Sequence, residues 1–260
     1  MSSENLRIEN ASLRIGSVHY LNAAPLTFGI ENRIHFTTPA RLAVLLRRDE
    51  LDAALVSVTE VLLNDRYDIL DGVAIAALGE VYSVLLAHTK PLARVREVFC
   101  DTASLTSVNL LKVLLAERGL KPVFRPLESY AAAAEKDFVL LIGDRAIDFQ
   151  RTAHPHQIFD LGAEWLALTQ LPFVFAVWAL RRGLDQSQLC RTLIEAKSNG
   201  LRHLDLIIRD RPEYDPAFRR LYFERHIRYH LDIAEKRSLA RFGELLCKHG
   251  LGPVFETKFV

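Results

Sequence analysis

Asn22 follows the first apolar run of the chain, LRIGSVHYLNAAPL over residues 13–26. Leu13, Ile15 and Val18 share that run with the small residues Gly16 and Ser17, and it breaks into Tyr20, Leu21, Asn22 and, after two alanines, Pro25. In an α/β protein the loop at the carboxyl end of the first strand is a place where ligands bind. An uncharged amide there can donate and accept at once, which suits positioning a substrate; it can equally close a turn onto its own backbone. The second candidate is DTASLTS, residues 101–107, where an apolar EVFC strand runs into hydroxyl residues and then into a helix with Val108, Leu111, Leu114 and Leu115 on one face. Thr106 and Ser107 fall near its first turn, where free N–H groups and the positive helix end favour an anion. Plain N-capping by Ser104 or Thr106 is the alternative. The third is Ile142-Gly143-Asp144, where a buried strand ends in a glycine that permits close backbone approach; Asp144 is either a base, an orienting group or a helix cap.

Weaker signals surround these. His19 stands close to Asn22, and as a lone histidine at a strand end it is either structural or an acid–base candidate. Ser57 and Ser83 lie in or beside apolar strands, where a hydroxyl must find a partner. His154-Pro155-His156 has a proline between its imidazoles and no carboxylate nearby, which argues for a surface loop rather than a metal clip. The chain has no GxSxG elbow, no P-loop and no GxGxxG after a strand, so triad hydrolysis and nucleotide binding lack support. No cofactor or metal is expected.

Elements able to position these residues alternate between strand and helix through the first two-thirds of the chain. Strands are predicted over 13–18, 52–58, 73–78, 82–88, 97–100, 123–125, 138–142 and 172–180, with helices over 39–48, 108–115 and 131–135 and a helical turn over 59–63. From residue 186 onward the pattern is helical, over 189–206, 216–230 and 233–249. A mostly parallel sheet covered on both faces follows from this order. The continuous apolar strands 82–88 and 172–180 bracket a segment sized for a small α/β lobe. This suggests two lobes about a cleft: 1–88 with 176–260, and 89–175. A single doubly wound domain has much the same pattern.

Composition narrows the classes. The 260 residues are 50% hydrophobic and 25% charged, with a net charge of +1, which implies no field for nucleic acid or membrane. The basic surplus of the helical tail reads as a solvated face. Residues 1–12 are polar, so no secretory signal is expected. The longest apolar run, 171–180, is too short to span a bilayer. Three scattered cysteines (Cys100, Cys190 and Cys247) form no CxxC pair, which fits a reducing, cytoplasmic location.

Taken in order, IGSVHYLNAAPL, RLAVLLRRDELDAALVSVTE, DTASLTSVNLLKVLL, LIGDRA and GAEWLALTQLPFVFAVW resemble the chorismate dehydratases of the futalosine route to menaquinone. The resemblance covers roughly residues 13–182. It implies a type II periplasmic-binding-protein-like fold, two lobes around a central cleft. It also implies conversion of chorismate into 3-[(1-carboxyvinyl)oxy]benzoate and water. Asn22 matches the family's YLN-like motif, Ser83 a hinge serine, and Thr106-Ser107 a pair holding a substrate carboxylate. Asn22 and Ser83 are thereby the catalytic candidates. The substrate-binding candidates are Ser17, Tyr20, Ser57, Ser104, Thr106, Ser107, Gly143 and Asp144. The chain departs from the family where Leu105 replaces an arginine common in SRTS and where Ala23-Ala24 stand in the LNxRPL motif. Chorismate loses its C3 proton and C4 hydroxyl to become aromatic, and no motif residue is an evident base. That leaves the substrate's own enolpyruvyl carboxylate, or His19. The competing class is a non-catalytic cytoplasmic binding protein for a small carboxylate.

Overall fold

The computed structural model describes residues 13–101 and 104–260. The polar stretch 1–12 and residues 102–103 of the hydroxyl-rich loop lie outside the described residues. Among the described residues ten strands are formed: β1 Ile15–Ser17, β2 Ile34–Phe36, β3 Ala53–Ser57, β4 Tyr67–Ala77, β5 Val84–His88, β6 Glu97–Cys100, β7 Val123–Pro126, β8 Phe138–Ile142, β9 Gln157–Asp160 and β10 Phe173–Arg181. The α-helices among these residues are α1 Ala24–Thr27, α2 Pro39–Arg47, α3 Val58–Leu62, α4 Leu105–Ala116, α5 Gly143–Arg151, α6 Leu161–Thr169, α7 Ser187–Arg202, α8 Leu204–Asp210, α9 Pro216–Leu221 and α10 Ile233–Lys248.

The strands form two five-stranded sheets, ordered β2-β1-β3-β10-β4 and β7-β6-β8-β5-β9. Each is mixed, which corrects the expectation of a mostly parallel sheet. In the first, β2, β1 and β3 are parallel while β10 runs antiparallel to both β3 and β4. In the second, β7, β6 and β8 are parallel and β5 is antiparallel to β8 and β9. The cause is the short passage from β4 to β5. The chain leaves the first sheet at Ala77, enters the second at Val84, and returns through α6 into β10. The strands read as continuous apolar runs are β5, every residue of which is buried, and β10, flanked on both sides within its sheet.

The first half of β4 carries Asp68 and Asp71, whose charges hid it from an apolar pattern. Arg182 takes Asp68 (2.7 Å) and Lys236 takes Asp71. The helix expected over 189–206 breaks at His203 into α7 and α8. The helix expected over 216–230 continues past α9 as one π-turn, Tyr222–His226, and then extends. Extension is enforced by β4, because Arg228 exchanges both backbone hydrogen bonds with Ala76 (2.7 and 2.9 Å). Residues 258–260 cover the other half of the same edge through Ile69 and Asp71.

The tail also braces the lobes against each other. Trp165 of α6 donates to Ser238 Oγ of α10 (3.0 Å), and Lys248 and His249 both meet Glu117 at the end of α4 (2.6 Å). Helix α7 lies directly on α1, the helix that continues from the Asn22 turn. Gly200 makes this possible, since a Cβ there would stand 1.9 Å from the Pro25 carbonyl oxygen. Gly200→Ala must therefore part the two helices. We expect a loss of about 3 kcal/mol in denaturant unfolding, at the upper end of overpacking costs; a loss below about 0.5 kcal/mol contradicts the contact.

Candidate active site

Strand β1 ends at Ser17 and the chain turns through Val18, His19 and Tyr20 into one 3-10 turn, Leu21–Ala23, that runs on into α1. Leu21, Ala23 and Leu26 are wholly buried and pin the turn, leaving Asn22 between them on the open side. The Asn22 carbonyl accepts the Tyr229 hydroxyl (3.0 Å), while its side-chain oxygen is buried with no partner among the described residues. A turn-closing Asn would have spent that oxygen on its own backbone; this one faces a cavity instead.

The cavity, about 630 Å³ counted to its mouth, lies between the sheets. Leu55, Ile75 and Phe175 supply an apolar wall from the first sheet, and Val81, Val84, Ile142 and Gly143 supply one from the crossing segment and the second. Tyr20, Asn22, Ser57, Ser83, Ser104 and Ser107 supply the polar groups. Among the described residues that line it there is no carboxylate, imidazole, ammonium, guanidinium or thiol.

The protons of these hydroxyls are largely committed. Ser104 caps α4 by accepting the Ser107 N–H (3.3 Å), and the Ser107 hydroxyl donates to the same oxygen (3.1 Å). Ser83 accepts the Tyr222 hydroxyl (2.8 Å) and faces the Val81 carbonyl (3.4 Å). Ser57 and Thr106 bind each other. The Asn22 side chain also hydrogen-bonds the Tyr222 hydroxyl. Facing the cavity without a partner are its amide oxygen, the Tyr20 hydroxyl and the hydrogen of the Ser104 hydroxyl, the last at the positive end of a three-turn helix. Burial, with Asp101 and Asp144 nearby, pushes the Tyr20 phenol up to about 12, so it serves as a donor and not as a base near neutrality.

Gly143 lines the cavity at a φ of +59°, with the Tyr20 ring 3.5 Å from where a Cβ would stand, and its N–H donates to the Ser83 carbonyl (2.7 Å). The crossing segment itself is gripped by Asp160, whose carboxylate accepts the N–H groups of Val81 (3.0 Å), Tyr82 (2.8 Å), Gly162 (2.9 Å) and Ala163 (3.0 Å).

Seven of the ten residues singled out in the sequence thus share one cavity, and Ser17, Thr106 and Asp144 do not line it. Ser17 is fully buried within β1, its hydroxyl without a partner among the described residues. Thr106 turns its hydroxyl toward Ser57 and Thr59. Asp144 is half-buried near Tyr20. Tyr222 and Tyr229 were missed, since the tail reads only as helix. His19 also stands outside, stacked on Phe36 with ring centroids 4.1 Å apart. The His154 ring accepts the His156 backbone N–H (3.2 Å), the His156 ring bonds the Lys136 carbonyl (2.8 Å), and no group of three or more metal-binding side chains occurs among the described residues.

Burial raises the Asp144 carboxyl to about 6, helped by Glu213 and Asp148 and opposed by the Leu21 N–H and Arg211. The folded protein therefore holds this proton over a pH range, about 4 to 6, in which the unfolded chain has released it. Stability falls as pH rises through that window and levels off above it. We expect Asp144→Asn to flatten this part of the melting-temperature profile and to gain on the parent protein above pH 6. Parallel profiles between pH 4 and 8 contradict the assignment.

The comparisons with known proteins agree with this geometry. Residues 13–248 match the menaquinone-biosynthesis family. Chorismate dehydratase of Thermus thermophilus is 34% identical over 89% of this chain and 94% of its own length. Chorismate dehydratase of Campylobacter jejuni is 27% identical over 86% and 88%. Among solved structures, protein AF1704 of Archaeoglobus fulgidus superposes with a TM-score of 0.73 at 18% identity, over 93% of this chain and 99% of its own. The alkanesulfonate-binding protein SsuA of Xanthomonas axonopodis pv. citri, solved with MOPS, gives 0.66 at 16%, over 93% and 94%. The fold is thus the two-lobed α/β architecture of the type II periplasmic binding proteins, and the chain belongs to the menaquinone-biosynthesis family.

Proposed function

We propose that this protein is a chorismate dehydratase. It removes water from chorismate to give 3-[(1-carboxyvinyl)oxy]benzoate, in the cytoplasm and on the futalosine route to menaquinone. The observation that carries the mechanism is a cavity holding Asn22 and Ser83 with no titratable base among its described lining. The substrate supplies the base. Its enolpyruvyl carboxylate takes the C3 proton, acidified vinylogously by the ring diene and ring carboxylate. The delocalised anion then expels the C4 hydroxyl, which leaves with that proton as water. The protein contributes orientation and electrostatic support. Asn22 holds the reacting geometry, Ser104 and the first turn of α4 receive a carboxylate, and Ser83, oriented by Tyr222, steadies the substrate at the crossing segment. The sheet memberships suggest lobes of 13–78 with 173–260 and 79–172, placing β5 with the second lobe and all of β10 with the first.

Incubating the purified protein with chorismate and following the aromatic product by chromatography and mass spectrometry tests the reading. Binding without turnover would instead favour a non-catalytic binding protein, as the structurally similar SsuA is an alkanesulfonate-binding protein. Asn22→Asp puts a negative charge against the substrate's own, and kcat/KM is expected to fall about a hundredfold or more, as when one oxyanion donor is lost. Near-normal rates refute the role given to Asn22. His19→Gln is expected to retain most activity. A loss of about a thousandfold, typical of an acid–base group, restores His19 as the base.

A further inference from the structure

Ser57 ends β3 in the first sheet and stands at the N-cap of α3, yet its side chain caps nothing in α3. Its oxygen accepts the N–H of Thr106 (2.9 Å), in the first turn of α4 beside the second sheet. Thr106 returns the contact, its hydroxyl oxygen accepting the Thr59 N–H in the first turn of α3 (2.8 Å). Each helix is therefore capped by a hydroxyl from the other lobe. The side-chain hydrogens complete the exchange. Thr106 donates to Thr59 Oγ1 (3.0 Å), so the 2.5 Å contact between Ser57 and Thr106 takes its hydrogen from Ser57. Thr59 and Thr106 are fully buried, while Ser57 lines the cavity.

We propose that Thr106 is a positioning residue that clasps the two lobes over the cavity and fixes the Ser57 hydroxyl, rather than a ligand of the substrate. With the clasp made, Ser57 and Thr106 have no proton left for a carboxylate, which leaves that task to Ser104, Tyr20 and Asn22. Parting the lobes strips both helices of a first-turn cap at once, so the pair of contacts breaks together. Closure also brings Asn22, carried by the first lobe, opposite Ser104 and Gly143, carried by the second.

Thr106→Val keeps the shape and removes the hydroxyl, while Thr106→Ser keeps the hydroxyl. Small-angle X-ray scattering of the protein alone is expected to show a larger radius of gyration for Thr106→Val than for the parent, with Thr106→Ser restoring it. In chorismate turnover, an arm that rests on the dehydratase reading, KM is expected to rise about tenfold for Thr106→Val, the equivalent of one or two hydrogen bonds. Ser57→Ala breaks the clasp from the other side and serves if the valine variant does not fold. Its effect on unfolding is expected to be non-additive with that of Thr106→Val. An unchanged radius with a raised KM overturns the proposal and returns Thr106 to the substrate-binding set; full additivity overturns it too. Absence of turnover in the parent protein overturns the dehydratase reading and leaves the scattering and additivity arms standing.

Discussion

One carboxylate decides where the two lobes meet. Asp160 closes β9, opens α6, and binds four backbone N–H groups, two of them in the segment that crosses from the first sheet to the second. A buried carboxylate needs this many donors to stay in place. Because it holds Val81 and Tyr82, it also fixes Ser83, whose carbonyl receives Gly143 and whose hydroxyl receives Tyr222. Tyr82 accepts a φ of +64° within that grip. The cavity wall, the start of α5 and the π-turn of the tail all hang on the same few atoms.

A cavity built this way is largely apolar, and its few polar groups carry no charge. A carboxylate entering it meets amide, phenol and hydroxyl donors and a helix end, none of which changes protonation near neutral pH. That favours a reaction whose proton is moved by the substrate and whose transition state needs support along its length. An arginine in the cavity would bind a carboxylate more strongly, yet it would bind ground state and transition state alike, and uniform binding does not raise kcat.

Much of this arrangement was legible in the sequence. Phe138–Ile142 and Glu97–Cys100 were read to the residue because their apolar runs are bounded by polar turns. Asn22 and Gly143 stand out because each punctuates an apolar run, and Ser83 because a hydroxyl lies in or beside an apolar strand; all three line the one cavity. What escaped depends on distant partners. The first half of β4 is strand because Arg182 and Lys236 neutralise its acids from elsewhere. Tyr222 and Tyr229 reach the site from a tail whose local pattern says only helix. Thr106 was read as an anion donor from its helix position, and nothing local revealed that Ser57, 49 residues away, would take its N–H.

The covering of β4 reaches beyond this fold. Strand edges offer unpaired amide and carbonyl groups to any neighbouring chain, and exposed ones seed aggregation. Here the tail lies along that edge twice, at 228–229 and at 258–260. The opposite edge, β2, is only three residues long. Both covering segments follow every strand of this sheet in chain order, so they are synthesised after the sheet they insulate. Until residues 228–229 and 258–260 emerge, an eleven-residue strand of mostly apolar character waits with one side bare. Removing either pairing segment opens that part of the β4 edge to neighbouring chains.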